Sequence, residues 1–165
     1  MGWFKNLIKF KSPSGISLNF DGAWEVSSPK DFALFIKSLV KIMPVEAILY
    51  LEGTAITPRI TKILESMECE PQAQVARGTI WPQSRCFHIP MSQENLNMIA
   101  SLFEENASPE ICDHFHVYSN NKVLLEWHDA FYDDPFLVDR QVPEDKLKSF
   151  SMSTNTIYKK AITKP

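Results

Sequence analysis

The sequence predicts an α+β protein: one domain, built as a two-layer sandwich of a largely antiparallel sheet with helices packed on one face. The predicted strands, which are apolar segments rich in aromatic and β-branched residues, mostly occur in pairs between the predicted helices. Parallel strands would need a crossover helix between every two strands, so paired strands indicate an antiparallel sheet. Each predicted helix has one apolar stripe, so one side of it faces a sheet. The 165 residues, 44% of them hydrophobic, are enough for one core.

Residues 1–11 predict a short amphipathic helix, because Trp3, Phe4, Leu7 and Ile8 are interspersed with lysines. This pattern is typical of helices that lie on a membrane surface, so weak membrane association through 1–11 is one prediction. The alternative is a helix that docks on the core through its aromatic residues.

Two strands and a helix are predicted next. Residues 16–20 and 23–26 are apolar segments on either side of the turn-forming pair Asp21-Gly22. A helix begins at Pro29, because proline suits the first helical position and apolar residues then recur every three or four positions.

The middle of the chain predicts three strands and two helices. Both helices begin after a threonine or serine that can cap them, and prolines or polar turns bound the strands. The predicted strands are 45–51, 75–81 and 85–89, and the predicted helices are 58–67 and 92–103.

The last third predicts a β-hairpin, a short strand and a final helix. The hairpin strands are 112–118 and 122–129, and the later elements are 136–138 and 143–150. Residues 151–165 are rich in Ser, Thr, Asn and Lys, which predicts a loosely ordered tail.

The register of the hairpin decides which side chains share a face, because a slip of one residue exchanges the two faces. A two-residue loop, 120–121, mixes polar and apolar groups on both faces. A three-residue loop, 119–121, separates them and is therefore the predicted register. It places His114 opposite Glu126 and Cys112 opposite His128. Its apolar face carries Phe115, Val117, Val123, Leu125 and Trp127.

The polar face of this hairpin is the candidate site, because it carries three of the four histidines of the chain. A zinc or non-haem iron ion would be bound by His114, His116, Glu126 and His128. Acid–base hydrolysis would instead use His114, Glu126 and His128 as catalytic residues. The alternative to both is that this is the solvated outer face of a one-sided sheet.

The segment that follows, 127–145, mixes carboxylates with aromatic side chains. Such a surface fits a protein partner that is basic. The predicted contact residues are Trp127, Phe131, Tyr132, Asp133, Asp134 and Asp139. The alternative is a solvated loop whose aromatic residues turn inward.

Composition narrows the function classes. A net charge of −3 provides no basic field for nucleic acid. Three widely spaced cysteines fit a reducing compartment, and no signal peptide or membrane-spanning run is visible, so a cytoplasmic protein is expected. No phosphate loop, dinucleotide fingerprint or nucleophile elbow is present, so no cofactor is expected unless the histidine cluster binds a divalent metal.

The leading prediction is therefore an interaction module that binds a protein through an acidic aromatic surface. The alternative is a metal-dependent or acid–base hydrolase centred on the hairpin histidines. The sequence leaves the oligomeric state open.

Overall fold

The computed structural model describes residues 14–162, whose seven strands form one antiparallel sheet in the order β3-β2-β4-β5-β6-β1-β7. The strands are β1 Trp24–Val26, β2 Ile48–Gly53, β3 Arg85–Pro90, β4 His114–Ser119, β5 Lys122–Trp127, β6 Phe136–Val138 and β7 Tyr158–Lys160. The helices are α1 Phe32–Ser38, α2 Pro58–Met67, α3 Gln93–Glu105 and α4 Glu144–Thr154, with short 3-10 helices at Leu39–Lys41 and Ser108–Glu110.

The main hydrophobic core lies between the helices and one face of the sheet. All four helices contribute to it, among others through Phe35, Leu64, Ile99 and Phe150. Phe35 is fully buried and makes edge or tilted ring contacts with aromatic residues of β4, β5, β6 and α4. This arrangement confirms the predicted α+β class with an antiparallel sheet and helices on one face.

Helices α1, α2 and α3 begin at polar caps, as the sequence predicts for two of them. Thr57 caps α2 and Ser92 caps α3, each by accepting a hydrogen bond from a backbone N–H three residues later. The first helix was predicted to begin at Pro29, but α1 begins at Phe32. The Asp31 side chain caps it by accepting a hydrogen bond from the Leu34 N–H at 2.9 Å.

The second face of the sheet is not solvated, because irregular chain covers it. Leu18 and Val75, from two covering segments, pack against Tyr50, Tyr118 and Val123 of the sheet. The expectation of an exposed outer face was therefore wrong.

The two covering segments replace two predicted strands. Residues 16–20 and 75–81 form no extended ladder and meet in one isolated parallel bridge between Ile16 and Val75. Ile16, Leu18 and Val75 pack onto the sheet, and the backbone after Val75 bonds to a buried side chain of the sheet.

The hairpin combines the two registers that the sequence allowed. Its turn has two residues, Asn120 and Asn121, both with positive φ, and it pairs Ser119 with Lys122. A bulge then inserts Leu124, whose carbonyl accepts from the Asp139 N–H at 2.8 Å.

The predicted three-residue loop was thus wrong, but the bulge restores most of the predicted faces. Val123 turns to the second face, and Leu124 packs against the main core. Glu126 pairs with His116 instead of His114, and Cys112 is buried in the main core instead of facing His128.

Residues 151–162 include the end of α4 and strand β7, contrary to the prediction of a loose tail over 151–165. Thr154 ends α4 by donating its hydroxyl to the Phe150 carbonyl, and Asn155 terminates the helix with a left-handed backbone (φ 53°). Strand β7 then pairs with β1, which would otherwise be an edge strand. Residues 163–165 and the predicted helix 1–11 lie outside the described residues.

We predict that the asparagine turn sets the stability of the hairpin. Asn121→Ala should lower the free energy of unfolding by about 1 kcal/mol, because alanine tolerates the left-handed region poorly. Asn121→Gly should be neutral or stabilising. Urea denaturation measures both. Asn97→Ala, in the exposed part of helix α3, is the control and should not destabilise. Equal losses at positions 121 and 97 would contradict the assignment.

Candidate functional site

The second face of the sheet contains a fully buried carboxylate, Glu52 of β2. One oxygen, Oε1, accepts from the Thr79 N–H at 2.9 Å and the Ser84 hydroxyl at 2.8 Å. The other, Oε2, accepts from the Gly78 N–H at 2.9 Å and the Tyr50 hydroxyl at 3.1 Å. These four donors compensate the cost of burying a charge.

The charge of Glu52 is retained despite its burial. Burial by itself would raise the pKa of this carboxyl, but the hydrogen bonds from Gly78, Ser84 and Thr79 and the nearby His114 outweigh it. The pKa of Glu52 is therefore lowered, and the carboxylate holds the loop 78–84 against the sheet.

Two histidines of β4 lie beside this carboxylate, both buried. Nδ1 of His114 accepts the Asp129 N–H, and Nδ1 of His116 accepts the Trp127 N–H, each at 3.1 Å. An imidazole nitrogen that accepts a backbone N–H carries no proton, so the proton of each neutral ring resides on Nε2. In His114 that nitrogen meets the Thr79 hydroxyl at 2.9 Å.

His116 is the more isolated of the two histidines. Its Nε2 is buried and has no hydrogen-bond partner among the described residues. Its ring stacks on that of Tyr50, with 5.6 Å between centroids and 8° between planes. Burial lowers the pKa of His116 strongly, and the neighbouring His128 and His114 lower it further. Burial also lowers the pKa of His114. Both rings are therefore neutral near pH 7.

His128 is the accessible member of the histidine cluster, with 49% of its side chain exposed. Its Nε2 lies 3.2 Å from Oε1 of Glu126, and the other Glu126 oxygen accepts the Leu18 N–H at 2.8 Å. Burial by itself would lower the pKa of His128. The hydrogen bond to Glu126 and the negative charges of Glu126 and Asp129 outweigh this effect, so the pKa of His128 is raised. This pair can hold or release a proton at the surface.

The structure therefore brings together the residues for which the sequence predicted metal or catalytic roles: His114, His116, Glu126 and His128. The ring centroid of His128 lies 5.3 Å from that of His114 and 4.8 Å from that of His116. His88, the fourth histidine, lies on β3 and is separated from this cluster by Tyr50 of β2.

The contacts of the buried histidines weigh against a metal centre. A metal-bound histidine donates its second N–H to an acceptor, whereas Nδ1 of His114 and of His116 accepts a backbone N–H. Binding a metal through Nε2 would therefore require removal of the ring proton, which gives an imidazolate. The alternative is loss of the hydrogen bond between Nδ1 and the backbone N–H. Across residues 14–162, no three His, Cys, Asp or Glu side chains are arranged to hold a metal ion. The metal and hydrolase roles remain predictions.

The acidic aromatic surface is smaller than the sequence predicts. Trp127, Phe131 and Asp139 are buried, so these three do not lie on a contact surface. Both aromatic rings pack in the main core. The Asp139 carboxylate accepts from Lys122 at 2.9 Å and from the Gln141 N–H at 2.8 Å.

The remaining three predicted contact residues are exposed: Tyr132, Asp133 and Asp134. They lie in the connection between β5 and β6, at the end of the sheet where β4 begins and β5 ends. The loop 78–84, which precedes β3, reaches the same end because β3 runs antiparallel to β2.

Loop 78–84 exposes two large apolar side chains that the sequence assigned to a strand. Trp81 is 85% exposed and Ile80 is 71% exposed. The loop lies beside the hairpin because Thr79 and Asp129 bond to opposite nitrogens of the His114 ring. Gly78 permits this approach, since a Cβ at that position would lie 2.5 Å from the ring.

Sequence reasoning missed Glu52 and Trp81. Glu52 sits in a nearly continuous apolar strand, where a single carboxylate signals a buried polar role. Trp81 stands next to Pro82 in a segment with glycine and serine, which is a turn signal.

No helix within residues 14–162 combines the length and the apolar character that crossing a membrane requires. Comparison with protein-family models, with curated proteins and with solved structures finds no match. Function is therefore argued from the geometry of the site.

We predict that Glu52 holds the covering loop in place. Glu52→Gln places an amide N–H₂ against two of the four donors, so the free energy of unfolding should fall by about 2–4 kcal/mol. Amide hydrogen exchange at Gly78 and Thr79 should accelerate. The control is Glu65→Gln, which removes an exposed ion pair with Arg85 and should cost less than about 1 kcal/mol. Equal effects of the two substitutions would contradict this role.

The buried histidines predict that acidification destabilises the fold. Their pKa values are lowered in the folded state, so below the ordinary value of 6.5 the unfolded chain binds more protons than the folded one. The two neutral histidines therefore contribute fully to the free energy of unfolding above pH 6.5, and this contribution is lost as the pH falls below 6.5.

Denaturant titrations over a range of pH test this. His116→Asn keeps an acceptor near Nδ1 but does not titrate, so it should flatten the slope below pH 6.5 by up to about 1.4 kcal/mol per pH unit. The control, Asn97→Ala, changes an exposed side chain that does not titrate and should leave that slope unchanged. The same slope in wild type and His116→Asn would refute the assignment.

Proposed function

We propose that the protein is a protein-binding module whose contact surface lies at the acidic end of the sheet. We define the acidic end as the exposed side chains of Ile80, Trp81, Asp129, Tyr132, Asp133 and Asp134. The observation that carries the proposal is the exposure of Trp81 on a loop whose backbone is held by the buried Glu52 carboxylate.

Trp81 has the properties of an interface anchor. Tryptophan is enriched among the residues that dominate binding energy, because it buries a large area at low entropic cost. Ile80 beside it extends the apolar surface. Since the bonds of Glu52 to Gly78, Thr79 and Ser84 already order the loop, binding loses less conformational entropy than it would with a flexible loop.

The charges around this anchor favour a basic partner. Asp129, Asp133 and Asp134 are exposed in the connection that follows β5. Arg85 at the start of β3 is neutralised by Glu65, with 2.6 Å between Nη2 and Oε1. A partner with lysine or arginine side chains around an apolar pocket would match both the carboxylates and the indole.

We predict that Trp81→Ala and the triple variant Asp129→Asn, Asp133→Asn, Asp134→Asn each lose partner binding. Affinity capture with quantitative mass spectrometry identifies proteins retained by the wild type, and titration of each purified candidate gives its affinity. Trp81→Ala should weaken binding by about 2 kcal/mol or more, a factor near thirty. The triple variant should reduce the salt dependence of association.

Val45→Ala is the matched control, because Val45 is 94% exposed and lies before β2, at the opposite end of the sheet. It should bind as the wild type does. A partner that is retained equally by wild type and Trp81→Ala would contradict the proposed surface. Self-association that is lost in Trp81→Ala would instead identify a second copy of the chain as the occupant.

A further inference from the structure

A concave feature lies on the covered face of the sheet. It is a cavity of about 380 Å³ between β2, β3 and the segment 71–77. That volume is within the range typical of small-molecule sites. Its polar lining includes Tyr50, Gln72, Arg77, Cys86 and His88.

His88 presents a hydrogen-bond donor to this cavity. The side chain is 8% exposed, and its Nδ1 lies 2.8 Å from the Tyr118 hydroxyl. That hydroxyl oxygen also accepts the Gln72 N–H, and in one of the two His88 tautomers it donates its own proton to Nδ1. In that tautomer the ring proton resides on Nε2, which has no hydrogen-bond partner among the described residues.

Tyr50 and Cys86 do not offer an acceptor that would satisfy this donor. The Tyr50 hydroxyl donates to the Glu52 carboxylate at 3.1 Å, and its oxygen accepts the Cys86 thiol at 3.1 Å. Burial raises the pKa of the Cys86 thiol, so the sulfur remains protonated and uncharged. The carboxylate beneath them is already bonded to four donors.

Arg77 supplies a positive charge at the rim. It is exposed and forms no ion pair within residues 14–162. It lines the cavity together with Cys86 and His88. A guanidinium matches the geometry of carboxylates and phosphates.

We propose that this cavity binds a small molecule that carries a carboxylate or phosphate group. The anionic oxygens accept from His88 Nε2 inside the cavity and from the guanidinium of Arg77 at its rim. Hydrogen bonds to an ionised acceptor are stronger than neutral ones, so an oxyanion gains from both the unpartnered Nε2 and the unpaired guanidinium.

Titration with inorganic phosphate and, separately, with acetate tests the proposal and distinguishes the two sources of anionic oxygen. The readout is the backbone amide NMR shifts of Gln74, Val75 and Cys86, which line the cavity. Sodium chloride at matched ionic strength is the reference. We expect saturable shifts at these amides with at least one of the two anions.

Two variants locate the binding groups. Arg77→Gln removes the charge from an exposed position and should weaken binding about tenfold or more. His88→Asn keeps an acceptor for the Tyr118 hydroxyl but removes the Nε2 donor, and it should have a similar effect. Arg59→Gln is the control, because Arg59 is an exposed arginine of α2 that pairs with Glu105. It should bind as the wild type does.

Three results would overturn the proposal. The first is the absence of shifts with both anions up to tens of millimolar. The second is an equal response to chloride, which would indicate ionic strength only. The third is binding that both Arg77→Gln and His88→Asn retain in full, which would place the anion elsewhere.

Discussion

The buried carboxylate of Glu52 is the interaction on which the second face of the sheet depends. A charge without compensation at that depth would be strongly destabilising, so its four donors must stay in place. Two of them are backbone N–H groups of loop 78–84, which ties a segment without regular structure to β2. The loop in turn covers His114, and its neighbouring chain encloses the cavity beside His88. The Glu52 side chain thus links loop 78–84, the buried histidines and the exposed Trp81.

The histidines are arranged as parts of a hydrogen-bonded layer. His116 accepts the N–H of Trp127, the last residue of β5, and His114 accepts the N–H of Asp129, two residues later. These bonds join β4 to β5 through side chains as well as through the strand ladder. This use of Nδ1 leaves a protonated Nε2, the opposite of what a metal ligand requires. His128 differs because it is exposed and paired with Glu126, so it is the member of the cluster that can exchange protons with solvent.

The acidic end and the cavity serve different kinds of contact. The acidic end carries an exposed indole with carboxylates nearby, which suits a macromolecular surface. The cavity is concave and is lined by His88 and the unpaired Arg77, which suits a small anion. Both proposals depend on the same covering chain, because loop 78–84 displays Trp81 and segment 71–77 forms a wall of the cavity.

The sequence by itself determined the fold class, the helices α2 and α3 with their caps, and the clustering of three histidines with Glu126. Periodicity and capping are local, so they can be read from neighbouring residues. Only the tertiary structure decided the hairpin register, because a two-residue turn and a bulge at Leu124 together reproduce the faces of a three-residue loop. The composition of 151–165 predicts a loose tail, but Tyr158–Lys160 pair with β1, which is distant in the sequence. Burial of the histidine face was likewise beyond local patterns, since it depends on Glu52 binding a loop twenty-six residues further along the chain.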